Sequence, residues 1–254
     1  MDSAASPHAR ERALPTGTVE LVFNLGDGRM RIFADDSDAA GQTFDAAVIC
    51  GPQSRYFVLD TSKPASVIGV HFKPGGAAAF LGAPAGEFAD RHLGLDDAWG
   101  SRAADLRDRL LAADSDAASF AVLEQGLLAR MRRPLLPHPA VVHALAQLAA
   151  EPTLSRIATL REEAGYSHKR FIELFRDSVG LTPKLFGRIQ RFQSVLGLLT
   201  RGERVEWAGV AADGGFYDQS HLNREFRAFS GTTPGDYQPL GPDRPSHVAV
   251  NPAE

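Results

Sequence analysis

The rhythm of apolar and polar positions changes part-way along this chain. From Val19 to Phe72, short apolar runs are cut by turn-forming residues, whereas from Ala77 onward apolar residues recur three, four and seven positions apart. The first rhythm is that of strands and the second that of helices. Five strands are predicted, at Val19–Phe23, Arg29–Phe33, Ala46–Cys50, Arg55–Leu59 and Val67–Phe72. The turn signal Asn24-Leu25-Gly26-Asp27-Gly28 makes a hairpin of the first two. Asp35-Asp36-Ser37-Asp38 reads as a solvated acidic loop. The strands together predict a small antiparallel sheet or partial barrel. Helices are expected at Ala77–Leu81, Ser101–Ala113, Ser119–Met131 and Ala140–Ala150, with Gly82–Trp99 irregular. Residues 1–13 and the polar, Pro-rich stretch after Tyr237 lack periodicity and are expected to be structureless.

The stretch from Thr153 to Tyr237 contains a pattern twice. Gly165-Tyr166-Ser167, Phe171, Phe175-Arg176 and Gly180-Leu181-Thr182-Pro183 are matched by Gly215-Phe216-Tyr217, Leu222, Phe226-Arg227 and Gly231-Thr232-Thr233-Pro234. An internal repeat exposes architecture directly. Each copy reads as a helix-turn-helix. A short helix (Ile157, Leu160 and Ala164 in the first copy) stops at a glycine suited to a left-handed turn, and Ser167 or Asp218 caps the next helix. That second helix buries Phe171, Leu174 and Phe175 in one copy, and Leu222, Phe226 and Phe229 in the other. At 100° per residue the opposite faces carry Lys169, Glu173 and Arg176, then Ser220, Arg224 and Arg227, with Gln219 and Asn223 on the shoulders. These side chains suit base edges and phosphates, as do Ser167 and His168 at the start of the first helix. Thr182 and Pro183 start a connecting helix to Leu199, a rod of roughly 25 Å. Adjacent major grooves on one face of B-DNA lie about 34 Å apart, within reach of two modules on such a rod.

Residues 153–237 resemble the DNA-binding domain of AraC-type transcriptional regulators. The resemblance is carried by Gly215-Phe216-Tyr217-Asp218-Gln219-Ser220-His221-Leu222-Asn223-Arg224-Glu225-Phe226-Arg227, by Gly231 and Pro234-Gly235-Asp236-Tyr237, and by Arg191-Phe192-Gln193 to Leu198-Leu199. One departure is Arg161, where that family usually has a small residue. Residues 11–100 resemble the sensor-like region of some of these regulators, through Leu14-Pro15 to Val19-Glu20-Leu21-Val22-Phe23-Asn24, Gly51-Pro52-Gln53 and Gly69-Val70-His71-Phe72-Lys73-Pro74-Gly75-Gly76. Relatives often carry a further segment before the Leu-Pro; here either an edge strand is left unpaired or the chain starts late. The resemblance implies an α+β chain. A β-rich sensor and dimerisation domain with two helices (1–133) is followed by a Pro-rich linker (134–139), a double helix-turn-helix domain (140–240) and a disordered tail (241–254). It implies double-stranded DNA as partner, an unknown small-molecule effector, a homodimer and, for an activator, RNA polymerase.

Charge complicates the picture. The chain has a net charge of −4, and residues 138–241 hold 12 Lys and Arg against 11 Asp and Glu. A near-neutral domain predicts weak non-specific DNA binding, unless Glu162, Glu163 and Glu206 turn away while Lys169, Arg176, Arg188, Arg224 and Arg227 face phosphate. It also keeps a rival open: a small-molecule-binding or catalytic protein whose helices only mediate protein contacts. Within the strands, Arg55, Tyr56 and His71 are candidates for a ligand pocket. Gly75-Gly76 matches no phosphate-loop spacing, so no enzyme is expected. No His-x-His or His-x-x-x-His pair occurs and Cys50 has no partner at ligand spacing, so neither metal nor cofactor is expected. His168 and His221 are expected to cover the modules or touch phosphate. A single cysteine, no apolar leader and no membrane-length apolar run predict a cytoplasmic chain.

Overall fold

Alternation along each strand sorts its side chains onto two faces, and here the two faces meet different neighbours. The computed structural model describes residues 9–26, 28–63, 65–131, 137–151, 159–160, 162–163, 165–200 and 207–250. Its strands are β1 (Arg10–Ala13), β2 (Glu20–Asn24), β3 (Met30–Phe33), β4 (Gln42–Phe44), β5 (Ala47–Cys50), β6 (Phe57–Asp60), β7 (Val67–His71), β8 (His92–Gly94) and β9 (His247–Ala249). They form two antiparallel sheets, ordered β4-β3-β6-β1-β9 and β7-β2-β5-β8. Leu21, Phe23, Ala47 and Ile49 of the second sheet point at helices α1 (Ala78–Leu81), α2 (Leu95–Trp99), α3 (Ser101–Leu111) and α4 (Asp116–Arg130) and share one core with them. Glu20, Val22, Asn24, Val48 and Cys50 point the other way, toward the first sheet.

Four expectations change here. The hairpin of the first two predicted strands does not form: β2 pairs with β5 and β7, and β3 with β4 and β6. The turn after Asn24 therefore carries the chain from one sheet to the other. Residues 10–13, expected to be structureless, are a strand between β6 and β9. The stretch after Tyr237 likewise ends in β9, whose Val248 is buried in the core of the helical domain. Alternation is too short in either segment to be seen, and each is fixed by pairing with the other. The chain's tail thus adds β9 to the side of β1 away from β6. Gly82–Trp99 also gains structure, as a 3-10 turn at Ala85–Phe88, β8 and α2.

The helical half contains α5 (Pro139–Ala150), α6 (His168–Val179), α7 (Pro183–Thr200), α8 (Trp207–Asp213) and α9 (Gln219–Ser230). Phe171, Phe175, Phe186, Phe192, Phe226 and Phe229 pack into one cluster. Truncating a buried Phe of this kind costs about 3–5 kcal/mol. The cluster also takes in Leu14 from the amino-terminal half. Gln193 Nε2 of α7 donates to the Pro15 carbonyl (2.8 Å) and to Ser246 Oγ (3.2 Å). The two halves are thus packed together through the segment before β2 and through the tail. Ile157, Arg161, Ala164, Glu206, the Arg132–Leu136 part of the linker and residues 1–8 and 251–254 lie outside the described residues. Among the described residues no helix is long and apolar enough to cross a membrane.

Candidate nucleic-acid interface

Each predicted reading helix starts at a side-chain cap. The Arg170 N–H donates to Ser167 Oγ (3.3 Å), and the His221 N–H donates to Asp218 Oδ1 (2.6 Å). These bonds satisfy amides that the first helical turn leaves free. Gly165 and Gly215 take the left-handed conformation before the caps, with φ of 67° and 69°. Gly180 and Gly231 take it after the helices, with φ of 91° and 73°. The repeat therefore repeats in conformation as well as in sequence. The connecting helix begins as expected, with the Leu185 N–H donating to Thr182 Oγ1 (3.2 Å).

Ser167, His168, Lys169 and Arg176 are exposed on α6, and Gln219, Ser220, Arg224 and Arg227 on α9. Glu173 and Asn223 are half-buried between them and the core. Exposed side chains line both outward faces, but the amino-terminal half reaches the end of the first, where Gly86 of the 3-10 turn lies against the Arg176 carbonyl and Cβ. The sensor half meets the other ends of both helices, through the 3-10 turn beside Arg176 and through Tyr56 beside Phe229. Glu173 faces Lys169 (3.9 Å) and Arg170 (3.6 Å), so its carboxylate has cations beside it.

Arg188 departs from expectation. Its Nε and Nη2 donate to both oxygens of Glu225 at 2.7 Å, and its guanidinium lies 5.2 Å from the centroid of the Phe229 ring. It ties α7 to α9 instead of facing phosphate. Burial acts to raise the Glu225 pKa, but the hydrogen bonds and charge of Arg188, with His221 and Arg191 nearby, outweigh it and hold the carboxyl below its ordinary value. The His221 ring lies against Phe216 and accepts from the Tyr217 N–H (3.2 Å), which covers the module surface.

The second feature is a cavity of about 890 Å³ between the two sheets. Val22, Ile32, Val48, Phe57 and Leu59 form its apolar walls; Glu11, Glu20, Asn24 and Gln53 supply polar groups. Arg244, Ser246 and His247 of the tail also line it. Glu11 is buried and accepts from Arg244 Nη2 (3.0 Å) and from His247 Nδ1 (2.9 Å). Cys50 lines the cavity, and burial, with the Glu20 charge, pushes its thiol pKa far up, so it stays protonated.

The structure does not bring Arg55, Tyr56 and His71 together around this cavity. Arg55 and Tyr56 line a separate depression with Asp38, Asp90 and His92. Tyr56 donates to Asp36 Oδ2 (2.9 Å) and packs against the helical domain. His71 stands outside the cavity lining, where its hydrogen bond to Glu20 (2.8 Å) raises its pKa against the smaller, opposing effect of burial. Its other ring nitrogen meets Thr18 Oγ1 at 3.1 Å. The cavity residues were missed because alternation shows which residues share a face, but not which face meets a cavity.

Residues 160–239 match the family model described as a helix-turn-helix domain, and residues 1–94 match a domain of unknown function, DUF6597. The carboxy-terminal part of this chain is an AraC-type helix-turn-helix domain. The chain is accordingly a DNA-binding transcriptional regulator. No curated protein matches it. Several solved structures of ToxT from Vibrio cholerae are similar to it. The P21 form shares 11% identity over 90% of this chain and 95% of that one, with a TM-score of 0.47. Wild-type ToxT of strain SCE256 with unsaturated fatty acid bound shares 11% over 91% and 90%, at 0.47. ToxT of strain O395 bound to (E)-4-(8-methylnaphthalen-1-yl)but-3-enoic acid shares 12% over 90% and 96%, at 0.50. The last of these likenesses is one of fold.

Proposed function

We propose that this AraC-type regulator sets α6 and α9 into adjacent major grooves on one face of B-DNA, under the control of a small molecule held between its sheets. The observation that carries the first part is that both helices keep predicted reading residues exposed toward their capped ends, Ser167, His168 and Lys169 on one and Gln219, Ser220 and Arg224 on the other. On α9, Arg224 and Arg227 are the cations for base and phosphate, with Gln219, Ser220 and Asn223 beside them. On α6 the same roles fall to Lys169 and Arg176, with Ser167, His168 and Glu173. The eighteen residues of α7 make a rod of about 27 Å, which with the half-widths of the modules matches the groove spacing of about 34 Å.

The cavity supports the second part. Its apolar walls and its polar end at Glu11, Arg244 and His247 suit a small molecule with an apolar body and one polar group. The ToxT that shares the fold was solved with such a molecule, an aromatic butenoic acid. Because the tail supplies Arg244, Ser246 and His247, a molecule there touches segments from both ends of the chain. Homodimerisation is proposed through α4, where Phe120 and Leu128 are exposed; Leu111 at the end of α3 and Met131 just after α4 are exposed as well. RNA polymerase is a further partner if the regulator activates. A regulator of DNA is placed in the cytoplasm.

The test uses a site selected from a random DNA pool. Arg224→Ala is expected to lower affinity for that site by about 1–3 kcal/mol, and Lys169→Ala to weaken all sequences alike and reduce the salt dependence by about one ion. Unchanged affinity of Arg224→Ala in a gel-shift titration contradicts the assignment.

A further inference from the structure

Gly180 and Gly231 occupy the same place in the two copies, just past the end of each reading helix. Both are pressed against one short piece of the sensor half. A Cβ on Gly180 would overlap Pro52, and one on Gly231 would come within 2.7 Å of the Tyr56 ring. The Tyr56 N–H also donates to the Phe229 carbonyl in the last turn of α9 (3.0 Å). The segment 51–56 thus touches the far ends of both reading helices at once.

We propose that segment 51–56 is a gauge that fixes how the two helix-turn-helix modules are set relative to each other. A gauge must be stiff, and this one is held on both flanks. The Gly51 N–H donates to the Arg91 carbonyl (3.0 Å), and the Asp90 N–H donates to the Pro52 carbonyl (3.1 Å). The Asp90 carboxylate accepts from the Ser54 N–H (2.5 Å) and from Ser54 Oγ (2.9 Å). Gln53 is buried, and its Nε2 donates to the Gly51 carbonyl (2.9 Å). Tyr56 is pinned by Asp36 and by the Arg12 guanidinium, 5.2 Å from its ring centroid.

The linker helix α7 joins the modules on its own side. A second brace at the C-terminal ends of α6 and α9, beside the start of α7, adds to that rod in restricting their twist and separation. Cys50, Gly51 and Gln53 line the cavity, so its contents press on the same segment. This part rests on the regulatory reading above: occupation of the cavity is converted into a change in the mutual setting of two reading edges.

The test is read on the free protein. Spin labels are placed at Lys169→Cys and Tyr217→Cys, whose parent side chain and residue are 89% and 93% exposed, at the starts of the two reading helices. The native Cys50 is buried. The wild-type background is expected to give one narrow distance distribution by double electron–electron resonance. Tyr56→Ala is expected to widen it about twofold or more, while Tyr56→Phe, which keeps the ring on Gly231, retains the narrow width. Pro52→Ala carries the test from the other module if Tyr56→Ala does not fold, as judged by circular dichroism. An unchanged width in Tyr56→Ala and Pro52→Ala overturns the gauge, as does equal widening in Tyr56→Phe. No DNA is present, so loss of DNA binding bears on the functional reading and an unchanged width bears on the gauge.

Discussion

Removing the Glu225 carboxylate should loosen α9 from α7, and the size of the effect follows from the geometry. Arg188 forms two parallel bonds of 2.7 Å with Glu225, and their side chains are 32% and 15% exposed. Charge-assisted bonds of this kind contribute about 1.5–3 kcal/mol when sheltered, and exposed pairs contribute less than about 1 kcal/mol. The intermediate exposure puts Glu225→Ala at about 2 kcal/mol of destabilisation. A double-mutant cycle with Arg188→Ala should give a coupling of about 1–2 kcal/mol. Trp207 packs at the edge of the helical core and reports on the second module. In a Trp99→Phe background it is the sole tryptophan, and urea melts followed by its fluorescence give the cycle. The pH dependence has a definite sign. The folded pKa of Glu225 is depressed, so the stabilisation is full above its ordinary value of about 4.5 and is lost as pH falls through the lower, folded value. A coupling below about 0.5 kcal/mol at neutral pH would refute the reasoning, because two well-aligned, half-sheltered bonds cannot be that weak.

Gly231→Ala places a Cβ against the Tyr56 ring at a left-handed position, and should cost about 2 kcal/mol, lowering Tm by several degrees. A calorimetric scan that superimposes on wild type contradicts it. Phe120→Asp should convert a dimer to a monomer in sedimentation equilibrium, since Phe120 is 60% exposed on α4. A wild-type chain that sediments as a monomer at all concentrations removes that surface from consideration.

The helical half was legible because its signals are local. A cap, a left-handed glycine and an apolar face are all set within a dozen positions of one another, and the second copy repeats them. Ser167, Asp218 and Thr182 cap helices as their positions predict. The amino-terminal half was legible as separate strands and helices, but not in how the strands pair. Alternation in Glu20–Asn24 identifies a strand, but its partners lie in β5 and β7, and no local signal separates those from β3. The pairing of β1 with β9, and the bond from Arg244 to Glu11 across 233 positions, have no local trace at all. Tyr56 shows the same limit for the site. Its place within a predicted strand suggested a pocket, but the helix end it meets comes from the other half of the chain. Arg188 was misjudged because its partner Glu225 is 37 positions away, on another helix.

The most direct measurement is hydroxyl-radical footprinting of the full chain on a site selected from random DNA. Two reading helices on one face predict two protected patches centred about 10 base pairs apart, with backbone between them open to cleavage. Arg224→Ala should erase one patch before the other. A single continuous patch, or two patches on opposite faces of the duplex, would contradict the account.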